Sequence, residues 1–205
     1  MKSQKGILKS GRKIISTSIS FGYYREEYKI EIELPKSVSL LVRGDDGDYY
    51  IKNINGSISL SLDDADAELS DCGGYSFTFR FDDGDLKMNR GKGKIQLDAD
   101  DSDVRIYDAA FTSIDADIDD GSIYLETSLS DNDSYRLNSQ DGGISLVVTA
   151  GGGEFDISHD DAGIRCDDSF KKLEVSEEHT RLSLNNGKAK VTIRSDDASI
   201  KLASK

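Results

Sequence analysis

The chain of 205 residues contains one proline, no tryptophan, two methionines, two histidines and two cysteines. Each shortage narrows the options. His159 and His179 are too few for a histidine-based metal site, and both read as solvated. Without tryptophan, the usual aromatic platform for stacking sugars is missing. Tyr49, Tyr50, Tyr107, Tyr124 and Tyr135 could replace it, and they fit outward strand positions as easily. Cys72 and Cys166 lie too far apart in the repeat described below to form a disulfide, and Cys166 follows Ile164 in an inward alternation. No apolar run is long enough to span a bilayer as a helix. No stretch sustains helical periodicity, so essentially no helix is expected. Excess basic charge is also missing. The net charge of −13 argues against sequence-independent nucleic-acid binding and against docking on anionic lipid.

What the chain does have is a period. Acidic turns begin at Asp45, Asp63, Asp82, Asp100, Asp119, Asp141, Asp160 and Asp196, with spacings of 18, 19, 18, 19, 22, 19 and 36 residues. A second set of turns sits half a unit away, at Asn55, Gly73, Gly91, Asp108, Asp131, Gly151, Asp167 and Asn185. Between turns the apolar residues alternate: Ile58, Leu60 and Leu62; Phe77, Phe79 and Phe81; Ile95 and Leu97; Ile144 and Leu146; Val191 and Ile193; Ile200 and Leu202. Period two with one apolar face predicts half-buried strands. A repeat of two strands and two turns predicts stacked coils.

The expected fold is therefore all-β: a parallel β-solenoid, a single-stranded β-helix of about 19 residues per coil, right-handed because strand twist favours that hand. An antiparallel β-sandwich is the alternative. Residues 1–13, with Lys2, Lys5, Lys9, Arg12 and Lys13 and no acid, read as a basic flexible tail. Residues 14–205 read as one solenoid domain, with 14–36 as N-terminal cap strands ending at Pro35 and 37–205 as the repeats. Two irregular rungs are expected: Leu129–Ser134 should bulge, and Glu177, Glu178 and His179 stand where an acidic pair belongs. Gly151, Gly152 and Gly153 permit a wide turn. The C-terminal strand, Ser199 to Ala203, is expected at the end of the stack with its edge open to a partner.

The segments Ile30-Glu31-Ile32-Glu33-Leu34-Pro35 and Leu40-Leu41-Val42, with the units Asp46-Gly47-Asp48 and Asn53-Ile54-Asn55-Gly56-Ser57-Ile58, carry a family resemblance. They are similar to the bacterial "putative adhesin" β-strand repeat family, a domain of unknown function, and to adhesin-like head domains of Bacteroidetes proteins. The resemblance covers about residues 14–205. It implies a β-solenoid, an extracellular or envelope setting, and no catalytic residues. The chain as given shows no signal peptide, which leaves the cytoplasm open.

Candidate sites follow from the acidic turns. Stacked coils would align Asp46, Asp64, Asp83, Asp101, Asp120 and Asp161 in a column of carboxylates about 4.8 Å apart. Such a column favours cations and could bind Ca²⁺ weakly. Tight-turn chemistry accounts for the same aspartates without any ion, and no cofactor is expected. Ser158, His159, Asp160 and Asp161 hold the residue types of a hydrolytic triad, but neighbours in one strand rarely reach that geometry. Gly91-Lys92-Gly93-Lys94 lacks the strand–loop–helix context of a phosphate loop. The function expected is non-enzymatic: an adhesin-like binding or architectural solenoid with a protein or glycan partner. The alternatives are a scaffold that self-associates through its coil ends and a polysaccharide-active enzyme.

Overall fold

The computed structural model describes residues 15–19, 28–197 and 199–205. The basic segment 1–13 lies outside them. There are seventeen strands and, among the described residues, no helix: β1 Ile15–Ile19, β2 Tyr28–Ile32, β3 Leu40–Lys52, β4 Ile58–Ser70, β5 Gly73–Asp83, β6 Leu86–Asn89, β7 Lys92–Asp101, β8 Val104–Ile118, β9 Ser122–Thr127, β10 Ser134–Ser139, β11 Gly143–Val148, β12 Gly153–His159, β13 Ile164–Cys166, β14 Phe170–Val175, β15 His179–Leu184, β16 Ala189–Ser195 and β17 Ser199–Ser204. β1 and β2 pair antiparallel as a separate hairpin. The remaining fifteen strands join in one sheet system.

That system is a parallel β-solenoid with two principal faces. On the first face the order is β3, β4, β5, β7, the second half of β8, then β10. On the second face it is the other halves of β3 and β4, then β6, the first half of β8, β9 and β11. The registers keep like over like: Asp46↔Asp64, Asp64↔Asp83 and Asp83↔Asp101. These stacked coils of about 19 residues make about six turns in chain order.

The core lies between the faces. Ile58, Leu60, Phe77, Phe79, Phe81, Leu97, Ile106 and Phe111 are all buried. Phe77, Phe79 and Phe81 follow one another along β5, with ring centroids 5.8 and 6.3 Å apart, and Phe111 meets Phe77 edge-on at 6.0 Å. Aromatic pairs in these tilted arrangements add to what their burial contributes.

Beyond the sixth turn, chain order and spatial order part company. The coil formed by β12 and β13 does not rest on β10 and β11. The C-terminal coil, β16 and β17, lies between them: β16 pairs with β10 on one edge and β12 on the other, and β17 pairs with β11 and β13. The expectation that the C-terminal strand forms an open end is therefore wrong. Ile193 and Ile200, in the inserted coil, are fully buried. Lys205 donates its amide to the Val148 carbonyl at 3.0 Å, and its ammonium meets Glu126 at 2.7 Å.

The physical cause can be traced to the irregular segments. The Gly151–Gly153 turn threads between other backbones, and added Cβ atoms would meet the carbonyl oxygens of Leu129, Leu184 and Ala189 at 1.9, 2.2 and 2.4 Å. Only glycine allows that approach, and it lets the chain climb past a vacant level. The long step at Leu129–Ser134 receives the returning coil. Asp131 Oδ1 accepts the Lys188 amide at 2.8 Å and the Asp133 carbonyl accepts the Lys190 amide at 3.0 Å. Between departure and return, β14 and β15 form an antiparallel hairpin on β12. The segment around Glu177–His179 is thus a hairpin turn and not a rung. It explains the 36-residue gap between Asp160 and Asp196.

Candidate functional site

The acidic corner, where each coil turns from the first face to the second, is the first candidate. Asp46, Asp64, Asp83 and Asp101 stand in register on successive coils. Asp120 follows on the next coil, but Asp161 is separated from it by the levels of Asp141 and Asp197, because the inserted coil intervenes. The first members of three neighbouring pairs interact as well. Asp63 and Asp100 are exposed, and both are raised above the ordinary carboxylate pKa, first by a hydrogen bond to the Asp82 carboxylate between them, then by local desolvation and the Asp82 charge. Asp83 is raised by burial first and by Asp101 and Asp64 next. Among the described residues, no group of three or more His, Cys, Asp or Glu side chains has the arrangement to hold a metal ion.

A second aspartate column has a structural role that the repeat did not disclose. Asp66 Oδ1 accepts the Asp85 amide at 2.8 Å, Asp85 Oδ1 accepts the Asp103 amide at 3.2 Å, and Asp103 Oδ1 accepts the Ser122 amide at 3.0 Å. Each carboxylate caps the amide one coil above. The signal was present in their spacing of 19 and 18 residues, but the adjacent acidic pairs masked it.

The tyrosines divide. Tyr135 is buried and inward, and its hydroxyl donates to the Phe111 carbonyl at 3.0 Å, so it is no platform. It fills the bulge, at a place where a tyrosine needs a polar partner for its hydroxyl. Tyr49 is inward and half-buried, and Tyr50 is exposed. Tyr107 and Tyr124 stack on the outside of the second face with centroids 5.2 Å apart. The Tyr124 hydroxyl donates to Glu126 at 3.3 Å, and burial followed by Glu126 pushes its pKa up.

From Tyr124 the outward column continues coil by coil through Ser145, Lys201 and Arg165. The flanking outward positions are small: Gly143, Val147, Ser199, Ala203 and Gly163. The result is a shelf with an aromatic pair at one end and two cations at the other. A shallow cleft lined by Gly163, Arg165, Ser199, Ile200 and Lys201 opens beside the cations. Nearby acids are already engaged. Glu126 holds Lys205. Asp167 accepts the amides of Ser204 and Ser169 at 2.6 and 2.9 Å, and the Ser204 bond keeps its carboxyl below the usual range. Among the described residues, neither Lys201 nor Arg165 has an ion-pair partner. Several cations elsewhere on the surface are paired, among them Arg80 with Asp98 at 2.6 Å, Arg136 with Asp115 at 3.3 Å, and Arg105 with Asp103 at 2.6 Å, whereas Lys190 and Arg194, like Lys201 and Arg165, have no such partner among the described residues.

The residues suggestive of a triad do not converge. His159 Nε2 lies 3.4 Å from Thr180 Oγ1. His179 Nε2 lies 3.0 Å from Asp156 Oδ1. Both histidines are half-buried where β12 meets β15, and not solvated as expected. Their proximity depends on the antiparallel hairpin, which no local pattern announced. The two cysteines are free, Cys72 buried and Cys166 half-buried.

The profile of the Toastrack DUF4097 family matches residues 6–203. The chain belongs to that family, a domain of unknown function. A crystal structure described as a putative cell adhesion protein from Clostridium sporogenes is 7% identical, with 95% of this chain and 100% of that chain covered and a TM-score of 0.38. No curated protein matches the chain.

Proposed function

We propose that this member of the Toastrack family is a non-enzymatic, adhesin-like binding solenoid of the bacterial cell envelope, and that its ligand is a glycan bearing anionic groups. The observation that carries the reading is the outward column Tyr124, Ser145, Lys201 and Arg165. Two cations on adjacent coils, whose backbones lie about 4.8 Å apart, repel each other. In a chain of net charge −13 they stand unpaired although carboxylates are plentiful. An anionic ligand relieves that repulsion, and a sugar ring offers an apolar face to Tyr107 and Tyr124. From Tyr124 to Lys201 the shelf runs two coils, about 10 Å, room for an oligosaccharide. Small side chains between the two ends keep the surface flat and open, as an extended polymer needs. The envelope setting rests on the adhesin-like resemblance of the strand repeats.

A glycan array that contains uronic-acid, sulfated and phosphorylated sugars beside neutral ones tests the proposal. The expected result is binding of anionic members that weakens with salt and is lost in Lys201→Ala/Arg165→Ala. Binding unchanged in that variant, or confined to neutral sugars, refutes it. Release of sugar products dependent on a single carboxylate would favour the enzyme reading instead.

A further inference from the structure

The solenoid has one raw end. The outer edge of β3 carries no partner strand along its 13 residues among those described. Its inward side chains Leu40, Val42 and Tyr49 are half-buried, whereas their counterparts one coil up, Ile58, Leu60 and Ala67, are 1%, 1% and 2% exposed. Tyr49 leans across the gap: a Cβ added to Gly44 would collide with its hydroxyl. Just ahead of β3 in the chain comes a strand with a second edge of its own. Among the described strands β2 is in a ladder with β1, and its Ile30 and Ile32 are 63% and 43% exposed.

We infer that the β1–β2 hairpin docks through the free edge of β2 onto the second half of β3, in parallel, with Ile30 beneath Tyr49 and Ile32 beneath Ile51. The register is set by the repeat. Ile30 and Ile32 precede Tyr49 and Ile51 by 19 residues, the offset that pairs Ala67 with Leu86 and Leu69 with Met88 higher in the stack. The chain has already taken this step at the neighbouring turn. The Asn55 amide donates to the Lys36 carbonyl at 2.6 Å, just as the Gly73 amide donates to the Ile54 carbonyl one coil later. Lys36 therefore already lies one level below β3. Only residues 33–35 separate Ile32 from it, a tether of about 13 Å at full stretch. That tether gives β2 a higher effective concentration at the edge than a second copy of the chain reaches in solution. The docked hairpin exchanges exposed isoleucines for contacts with Tyr49 and Ile51 and supplies the missing ladder. The opposite end of the solenoid is also closed by a hairpin, β14–β15, which lies antiparallel on β12.

The test uses the full chain. In the docked register Glu31 lies beneath Tyr50, on neighbouring strands about 4.8 Å apart, within the Cα separation a disulfide tolerates. Glu31→Cys/Tyr50→Cys, with Cys166→Ser to remove the half-buried thiol, is expected to form an intramolecular disulfide under mild oxidation. Tyr50→Cys/Glu68→Cys, in register across β3 and β4, is the positive control. A control that links while the test pair stays reduced overturns the inference, and so does a test pair that links only between molecules, which would give the edge to a second copy. Amide exchange provides an independent readout. Ile30→Asp/Ile32→Asp is expected to speed exchange of residues 48–52 about tenfold or more. Equal rates in wild type and variant refute the docking. Neither measurement depends on whether the chain binds a glycan.

Discussion

Removal of the C-terminal coil should empty a slot inside the molecule, and its consequence can be worked out strand by strand. In a chain that ends at Lys188, β16 and β17 are gone. β12 bonds only to β16 and β15, and β13 bonds only to β17. The β12–β13 coil and the β14–β15 hairpin then have no ladder to the body. The lost coil carries Val191, Ile193, Ile200 and Leu202 at 1%, 0%, 0% and 3% exposure. Burial of such side chains contributes roughly 1.5–3 kcal/mol each, so about 6–12 kcal/mol of gross hydrophobic stabilisation disappears. Domains of this size have a net stability of about 5–15 kcal/mol, so residues 153–184 should not stay folded. The six lower coils keep their pairings with one another, β10 and β11 losing only their upper partners, and should hold. Hydrogen exchange by mass spectrometry is the assay. Expected are near-native protection over residues 40–148, loss of protection over 153–184, and its return when a peptide of residues 189–205 is added. If 153–166 stay protected in the truncated chain, that coil has settled directly on β10 and β11, and the argument that Gly151–Gly153 and the Leu129–Ser134 bulge hold the slot open is wrong.

The acidic corner yields a signed prediction. Asp63 and Asp100 have raised pKa values in the fold because of the Asp82 carboxylate, so this corner becomes less stable as pH rises from about 4, the unfolded value, through the raised folded values. Asp167 has the opposite sign: its stabilisation is present above about pH 4 and is lost as pH falls through its depressed value. Asp82→Asn should therefore raise Tm at pH 7 in low salt and leave acid unfolding in place; a lower Tm at pH 7 refutes the coupling. Salt should raise the wild-type Tm as well as millimolar Ca²⁺ does, and a rise specific to Ca²⁺ would instead reveal chelation by the Asp46–Asp161 column. At Gly142 a Cβ would meet the Gly121 carbonyl oxygen at 1.4 Å, so Gly142→Ala should cost about 1–3 kcal/mol, several degrees in Tm. An unchanged melt would show that the corner backbone can move apart.

The first six coils were legible because each repeats the chemistry of the last at a fixed phase. The same property hides the order of the remaining coils. Ile144, Ile200 and Ile164 occupy equivalent positions, as do Leu146, Leu202 and Cys166, so any of these strands fits beside any other. The inward pattern identifies a rung and says nothing of its level. What sets the level is the irregular residues: a glycine tract that climbs, a bulge whose Asp131 catches Lys188, and a 36-residue gap. The aspartate column was visible for a similar reason, whereas the Lys201–Arg165 pair was not. Those two residues lie 36 apart in sequence and become neighbours only through the insertion.

The two ends of the solenoid differ in a way that limits self-association. At the far end β14 has a bulge between Lys172 and Glu174 and carries Lys171, Lys172 and Glu174, and β13 is three residues long. Short, bulged and charged edges resist strand addition. At the near end β3 offers 13 residues without a bulge against β4. Growth into filaments needs two complementary ends, and this molecule offers one. When the hairpin is detached by Ile30→Asp/Ile32→Asp, two β3 edges can meet only about a twofold axis, which closes on itself. Light scattering of that variant across concentration should rise to the mass of a dimer and stop there. Continued growth would mean that the β14 end also accepts a strand, and that its bulge and lysines are no barrier.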